Sequence, residues 1–149
     1  MDTSIRRAEP TDAAALAQLE DEARQALVDV RGGRRLLLEQ PAVGDWATQV
    51  GDARTIVWIG LIDDVAVGYL ELELPGGDGI GRVRQVYVLP GAREIGFGDE
   101  LLALAIEASL AAGGTEIESF ALPGDRDTKN LYERAGVTAR KLIVSKKLT

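Results

Sequence analysis

The sequence predicts a mixed α/β fold. Three observations lead there. The 149 residues and 15.9 kDa suit one compact domain, 1–149, and fall short of two ordinary ones. Hydrophobic residues make up 46% and charged ones 28%, a globular rather than a disordered balance. Stretches with strand composition then interleave with stretches at helical spacing. A chain of this length buries roughly two-thirds of its unfolded surface, so its core needs no disulfide or metal staple.

The elements follow in order. After Ile5, Pro10-Thr11-Asp12 leads into a helix over Ala13–Leu27, with Thr11 expected as N-cap and Leu16, Leu19, Ala23 and Leu27 on one face. Arg31-Gly32-Gly33-Arg34-Arg35 breaks that helix, and Leu36–Glu39 ends against Pro41. The stretch to Asp52 is the least patterned, a long loop with room for a short helix. Arg54–Ile62 reads as a strand, Asp63-Asp64 as a tight turn and Val65–Leu74 as the hairpin partner. After the glycine-rich loop Pro75–Gly79, Ile80–Leu89 is a strand stopped by Pro90. Gly96–Ala112 is helical, with Gly113-Gly114 as its C-cap. Thr115–Leu122 reads as a strand, Asp125–Ala135 as a short helix and Val137–Leu148 as a last strand.

Composition removes whole classes of chemistry. With no cysteine and no histidine, the chain has no thiol nucleophile, no Ser-His or Cys-His pair, no zinc finger and no imidazole-bound metal site. Its chemistry must run on carboxylates, Tyr, Ser, Lys, Arg, backbone groups or a cofactor. The net charge of −7 falls wholly in residues 1–75, with 7 Arg against 14 acids, while 76–149 balance. Nucleic acid is therefore not an expected partner, since phosphate binding wants a basic excess. An acidic half can attract a cationic partner or simply keep the protein soluble. The longest apolar stretch, Ile56–Ile62, is far below the ~18 residues that span a bilayer, so no membrane partner is expected. A soluble, cytoplasmic protein is the expectation.

The most informative stretch runs from Val86 to Asp99: Val-Tyr-Val-Leu-Pro-Gly-Ala-Arg-Glu-Ile-Gly-Phe-Gly-Asp. A strand enters a turn containing Arg93, Gly96 and Gly98, and that turn opens a helix. Free amides at a helix start carry about half a positive charge and bind phosphates, and glycines let an anion approach them. The spacing is neither the dinucleotide G-x-G-x-x-G nor a Walker loop.

Val88, Pro90, Arg93, Gly96, Gly98 and Leu101-Leu102 together resemble motif A of the GNAT superfamily of acyl-CoA-dependent N-acyltransferases, V-x-P-x-x-R/Q-x-x-G-x-G/A followed by two aliphatic residues. Asp125-Arg126-Asp127-Thr128-Lys129-Asn130-Leu131-Tyr132-Glu133-Arg134-Ala135-Gly136-Val137 resembles its motif B, N-x-x-A-x-x-L-Y-E-x-x-G-F. The opening Ser4–Ala8 strand and the element order are similar too, so the resemblance spans nearly the whole chain. The departures are Glu94 where a small or basic residue is usual, Asp125 for Asn, Thr128 for Ala and Val137 for Phe.

The resemblance implies a central, mixed and mostly antiparallel sheet of six to seven strands flanked by about four helices. It implies acetyl-CoA as cosubstrate, no metal, and acetyl transfer from acetyl-CoA directly to a primary amine. A homodimer is a further expectation, and the acidic first half adds a cationic acceptor. A non-catalytic acyl-CoA sensor on the same fold is the alternative. The backbone of Val86, Tyr87 and Val88 would meet pantetheine and the thioester, and Arg93, Glu94, Ile95, Gly96, Phe97, Gly98 and Asp99 would cradle the pyrophosphate. Tyr132 matches the tyrosine that protonates the departing thiolate. The base is less defined, because Ile80–Leu89 contains no carboxylate. Tyr69, Glu71 and Glu73 share one face of the neighbouring strand, which makes Glu73 or Glu71 the candidate, with Asp127 and Glu118 further off. A solvent-facing face of an amphipathic strand is the simpler reading of those residues.

Overall fold

The computed structural model describes residues 1–149. Five strands form one sheet in the order β1 (Thr3–Arg7), β2 (Thr55–Ile62), β3 (Val65–Glu73), β4 (Ile80–Val88), β5 (Glu116–Glu118), antiparallel except for the β4–β5 pair. The helices are α1 (Ala13–Leu27), α2 (Gly33–Glu39), α3 (Trp46–Val50), α4 (Phe97–Ala111) and α5 (Arg126–Arg134). The β2–β3 hairpin closes through Asp63 and Asp64, both at positive φ (48° and 66°), the geometry that suits the twist of a two-residue hairpin turn.

Alternation along the strands gives each sheet face its own core. Val57, Ile59, Leu61 and Tyr69 pack with Leu16 and Leu19 of α1 and Trp46 of α3; the Trp46 and Tyr69 rings meet edge-on at 5.7 Å. Leu70, Leu72 and Val83 pack on the other face with Phe97, Leu101, Leu102 and Ala105 of α4 and with Leu131 and Tyr132 of α5. Each fully buried leucine contributes about 1.5–3 kcal/mol relative to exposure. Gly60 in β2 is what lets Phe97 in: a Cβ there would lie 2.8 Å from the ring.

Three sequence expectations change. The strand expected over Val137–Leu148 does not form, so the sheet has five strands rather than six or seven. β5 is three residues long and offers no ladder for another strand, and Leu142-Ile143-Val144 run consecutively, without the alternation that would give a face to bury. These residues stay exposed. Thr11 is not the N-cap of α1; Pro10–Asp12 form a 3-10 turn, and Asp12 bonds Arg6 at 2.7 and 2.9 Å and the Glu9 amide at 2.7 Å. α1 ends at Leu27, five residues before Gly32, and the glycine pair at 32–33 starts α2 instead, with Gly32 at φ 88°. No helix is long and apolar enough to cross a membrane.

Candidate active site

β4 and β5 pair only from Ile80 to Arg82 and then diverge. The remainder of β4 is left open on that side. Leu89 N–H donates to Val67 C=O at 2.8 Å, and Tyr87 stands opposite Tyr69. Because bonded and non-bonded pairs alternate, the backbone groups of Val86 and Val88 face away from β3, into the wedge. Val88 C=O accepts from Arg93 Nε at 3.0 Å.

At the mouth of the wedge the chain makes a 3-10 turn, Pro90–Ile95, and enters α4 through Gly96 at φ 95°. This backbone favours glycine. No side chain caps α4, so the amides of Phe97, Gly98 and Asp99 have no intrahelical acceptor. Their direction and partial charge fit a pyrophosphate. A Cβ at Gly98 would meet Leu131 of α5 at 3.4 Å, an ordinary van der Waals contact. Arg93 is already engaged: Nη1 bonds Asp127 at 3.1 Å and the guanidinium sits 5.8 Å from the Tyr87 ring centre. Arg134 bonds Asp99 at 3.0 Å, which ties α5 to the start of α4 a second time. Glu94 and Ile95 are exposed, and the Glu94 side chain lines the cleft.

Tyr132 lies deep on the wall of this cleft, only 6% exposed. Its hydroxyl donates to Ser119 Oγ at 2.7 Å, and Ser119 donates to Val83 C=O at 2.8 Å. Burial pushes the phenol up to about 12, the Ser119 hydrogen bond working the other way. Tyr132 therefore keeps its proton throughout the physiological range. The sequence marks Tyr132 through its motif, but nothing marks Ser119, which comes into reach only because β5 stops one residue before it.

The base candidates sit elsewhere. The Tyr69–Glu71–Glu73 face is covered by α1 and α3 rather than by solvent, and Tyr69 and Glu71 are buried. Glu73 pairs with Arg84 at 3.1 Å and lines a separate hollow, so the structure does not bring it to the cleft. Glu118 pairs with Arg82 at 3.0 Å. Asp127 does line the cleft, but on α5 and paired with Arg93.

Gln85 is the hub of the covered face. It accepts from Tyr69 Oη at 2.6 Å and donates through Nε2 to Glu20 at 2.7 Å and Glu71 at 3.1 Å. Glu20 also accepts from Val43 N and Trp46 Nε1, and Glu71 from Gln49 at 2.6 Å. Burial raises Glu71 above the usual carboxylate range, opposed by the bonds from Gln49 and Gln85. The folded state thus holds the Glu71 proton more tightly than the unfolded chain, and ionised Glu71 subtracts stability as pH rises through its folded value. Against Glu71→Gln, the parent is expected to gain relative stability as pH falls from 7 toward 5. Paired urea titrations at both pH values check this, and a constant difference between the two proteins refutes it.

The cleft encloses about 870 Å³ and has two ends. One holds the turn, the start of α4 and α5; the other lies under α1 and α2, where Leu27, Val30, Leu36 and Leu37 line it. A group with a phosphate head, a slender amide-bearing arm and a terminal thioester matches the amides, the open β4 edge and the buried hydroxyl in turn. No group of carboxylates capable of holding a metal is present.

A family model described as the acetyltransferase (GNAT) family matches residues 14–137. No curated protein matches the chain at a significant level. Among solved structures, a ribosomal-protein-alanine N-acetyltransferase from Brucella melitensis biovar Abortus 2308 is similar at 18% identity and a TM-score of 0.70, covering 100% of this chain and 99% of that one. The aminoglycoside N-acetyltransferase AAC(6')-Iy in complex with CoA is similar at 17% identity and a TM-score of 0.73, with 99% and 96% covered. An aminoglycoside acetyltransferase from an uncultured soil metagenomic sample gives 18% and 0.72, with 99% and 95% covered. At such identities these likenesses speak for the fold.

Proposed function

The chain belongs to the acetyltransferase (GNAT) family, with acetyl-CoA as its cosubstrate, and from that membership we propose that it transfers acetyl directly to a primary amine, with Tyr132 as general acid. The observation that carries the reading is the Tyr132 hydroxyl, buried and protonated on the wall of a cleft whose other side is the unpaired edge of β4. The amides of Phe97, Gly98 and Asp99 hold the pyrophosphate. The outward backbone groups of Val86 and Val88 orient the pantetheine arm as an added strand would, with Tyr87 between them bonded to β3. Aligned amides suit both tasks because they need no rearrangement as charge develops.

In the reaction the amine nitrogen bonds the acetyl carbon and the C–S bond breaks. The amine proton leaves to water, and the Tyr132 proton goes to the sulfur. The phenolate left behind turns to accept from Ser119, whose hydroxyl can swing from Val83 C=O. With no cysteine in the chain, no thiol-bound acyl-enzyme intervenes.

Acetyl-CoA at about a hundred times its dissociation constant should stabilise the fold by about 2.7 kcal/mol. Thermal melts with and without millimolar acetyl-CoA measure this. Free CoA thiol released against a panel of primary amines then measures turnover. No melting shift removes the cosubstrate site, and a shift without thiol release removes the transfer step.

A further inference from the structure

We infer that the acceptor is an amine carried on an apolar body, seated under α1 and α2, and that the site rejects polycationic amines. The inference rests on the acetyl-transfer reading above and names the substrate class of that same cleft.

The distribution of charge along the cleft carries the argument. Every carboxylate that lines it, Glu94, Asp99, Asp125 and Asp127, belongs to the turn, α4 or the α5 end. Three of these are already committed, Asp99 to Arg134, Asp127 to Arg93, and Asp125 to capping α5 through Thr128. The opposite end presents Ala23, Ala26, Leu27, Val30, Leu36 and Leu37. Its charged groups are Arg24 and Arg84, and its other polar groups are Gln40, Tyr69 and Gln85. Arg24 donates to the carbonyls of Leu37 and Gln40 at 3.2 and 2.7 Å, which fixes a positive charge in the wall.

None of the acids of residues 1–75 lines this end, although the charges of Glu20 and Glu71 reach Tyr69 and that of Glu22 reaches Tyr87. Glu20 and Glu71 are 4% exposed and spend their oxygens on Gln85, Gln49, Trp46 and Val43. Glu73 is paired with Arg84 in the neighbouring hollow, and Glu39 with Arg35. A polycation entering here would meet the Arg24 guanidinium and no lining carboxylate, so its several charges would lose water without a direct ion pair. An aliphatic or aromatic body would instead bury against six apolar side chains, at about 25 cal/mol per Å² removed from water.

The same lining accounts for the missing base. A nucleophilic amine must be neutral. A carboxylate in contact with it would hold the ammonium form, whereas apolar walls favour the free amine. The site thus makes the ammonium of its own substrate more acidic, and a carboxylate base becomes unnecessary.

The test uses the whole chain with four probes: phenethylamine, isoamylamine, spermidine and an aminoglycoside. CoA release at fixed pH should favour the two apolar amines at least tenfold in kcat/KM. The alkaline plateau of kcat, which reports the bound amine, should begin below that amine's own solution value, while the plateau of kcat/KM stays on it. Calorimetric binding of the same amines to the CoA-saturated protein gives a readout that needs no turnover. Tenfold preference for spermidine or the aminoglycoside in either assay overturns the inference. Apolar preference in binding with no thiol release from any amine overturns the acetyl-transfer reading instead and leaves the site assignment standing.

Discussion

Replacing Tyr132 with Phe should lower kcat by about 10²- to 10⁴-fold, the range typical of a lost general acid. The ring keeps its place between α5 and the sheet, and only the hydroxyl goes. Ser119 still donates to Val83 C=O, so no buried donor is stranded and stability should fall by only about 1 kcal/mol. Acetyl-CoA affinity should stay within about threefold, because the cradle and β4 are untouched. An acyl donor with a less basic leaving thiolate should partly rescue the variant. The pH profile offers a separate check. A general acid works only while protonated, and burial has moved Tyr132 up to about 12. The parent should therefore show no loss of kcat on its alkaline side up to pH 10. A limb falling near 10 would belong to an unperturbed phenol and contradict the buried assignment. Turnover of Tyr132→Phe within threefold of the parent, where chemistry limits the rate, would leave the residue a packing side chain.

Gly98→Glu should weaken acetyl-CoA binding by about a hundredfold or more, as judged by calorimetry. The variant puts a carboxylate beside the uncapped amides of α4, where the pyrophosphate charge would sit, and both favourable terms reverse. The structure adds a consequence for packing. A Cβ at this position meets Leu131 at an ordinary 3.4 Å, so only the longer Glu side chain would press on α5, at about 1–3 kcal/mol. Gly98→Ala separates the effects, since it carries the contact without the charge. It should bind acetyl-CoA within about tenfold of the parent. Circular dichroism on both variants shows whether the fold survives. A Gly98→Glu protein that folds and binds as tightly as the parent would remove the pyrophosphate from this turn.

Much of this molecule was legible along the chain. Strand alternation, the Asp63-Asp64 turn and the Gly113 stop are local, and local chemistry decides them: two-residue hairpins need positive φ, and helices end where glycine permits it. The turn before α4 was legible for the same reason, because Pro90, Gly96 and Gly98 act through backbone conformation within one short segment. Tyr132 was legible only through its motif. No property of an isolated tyrosine indicates that its hydroxyl will lie in a cleft.

What the chain could not say by itself depends on which elements meet. Glu73 and Glu71 are indistinguishable in sequence. The packing of α1 and α3 buries one in a hydrogen-bond network, and the edge of β4 gives the other to Arg84. The charge of −7 is fixed by composition, yet no carboxylate lines the α1–α2 end of the cleft, because Glu20, Glu71 and Glu73 find partners across the fold. Ser119 acquires its place beside Tyr132 because β4 and β5 part after Arg82. The expected last strand failed on the same principle. A stretch of strand-forming residues needs an open edge to pair with, and that edge belongs to another part of the chain. Periodicity and turn chemistry act between neighbours in sequence and were determined there. Burial, pairing and proton affinity act between neighbours in space, so the tertiary structure decided them.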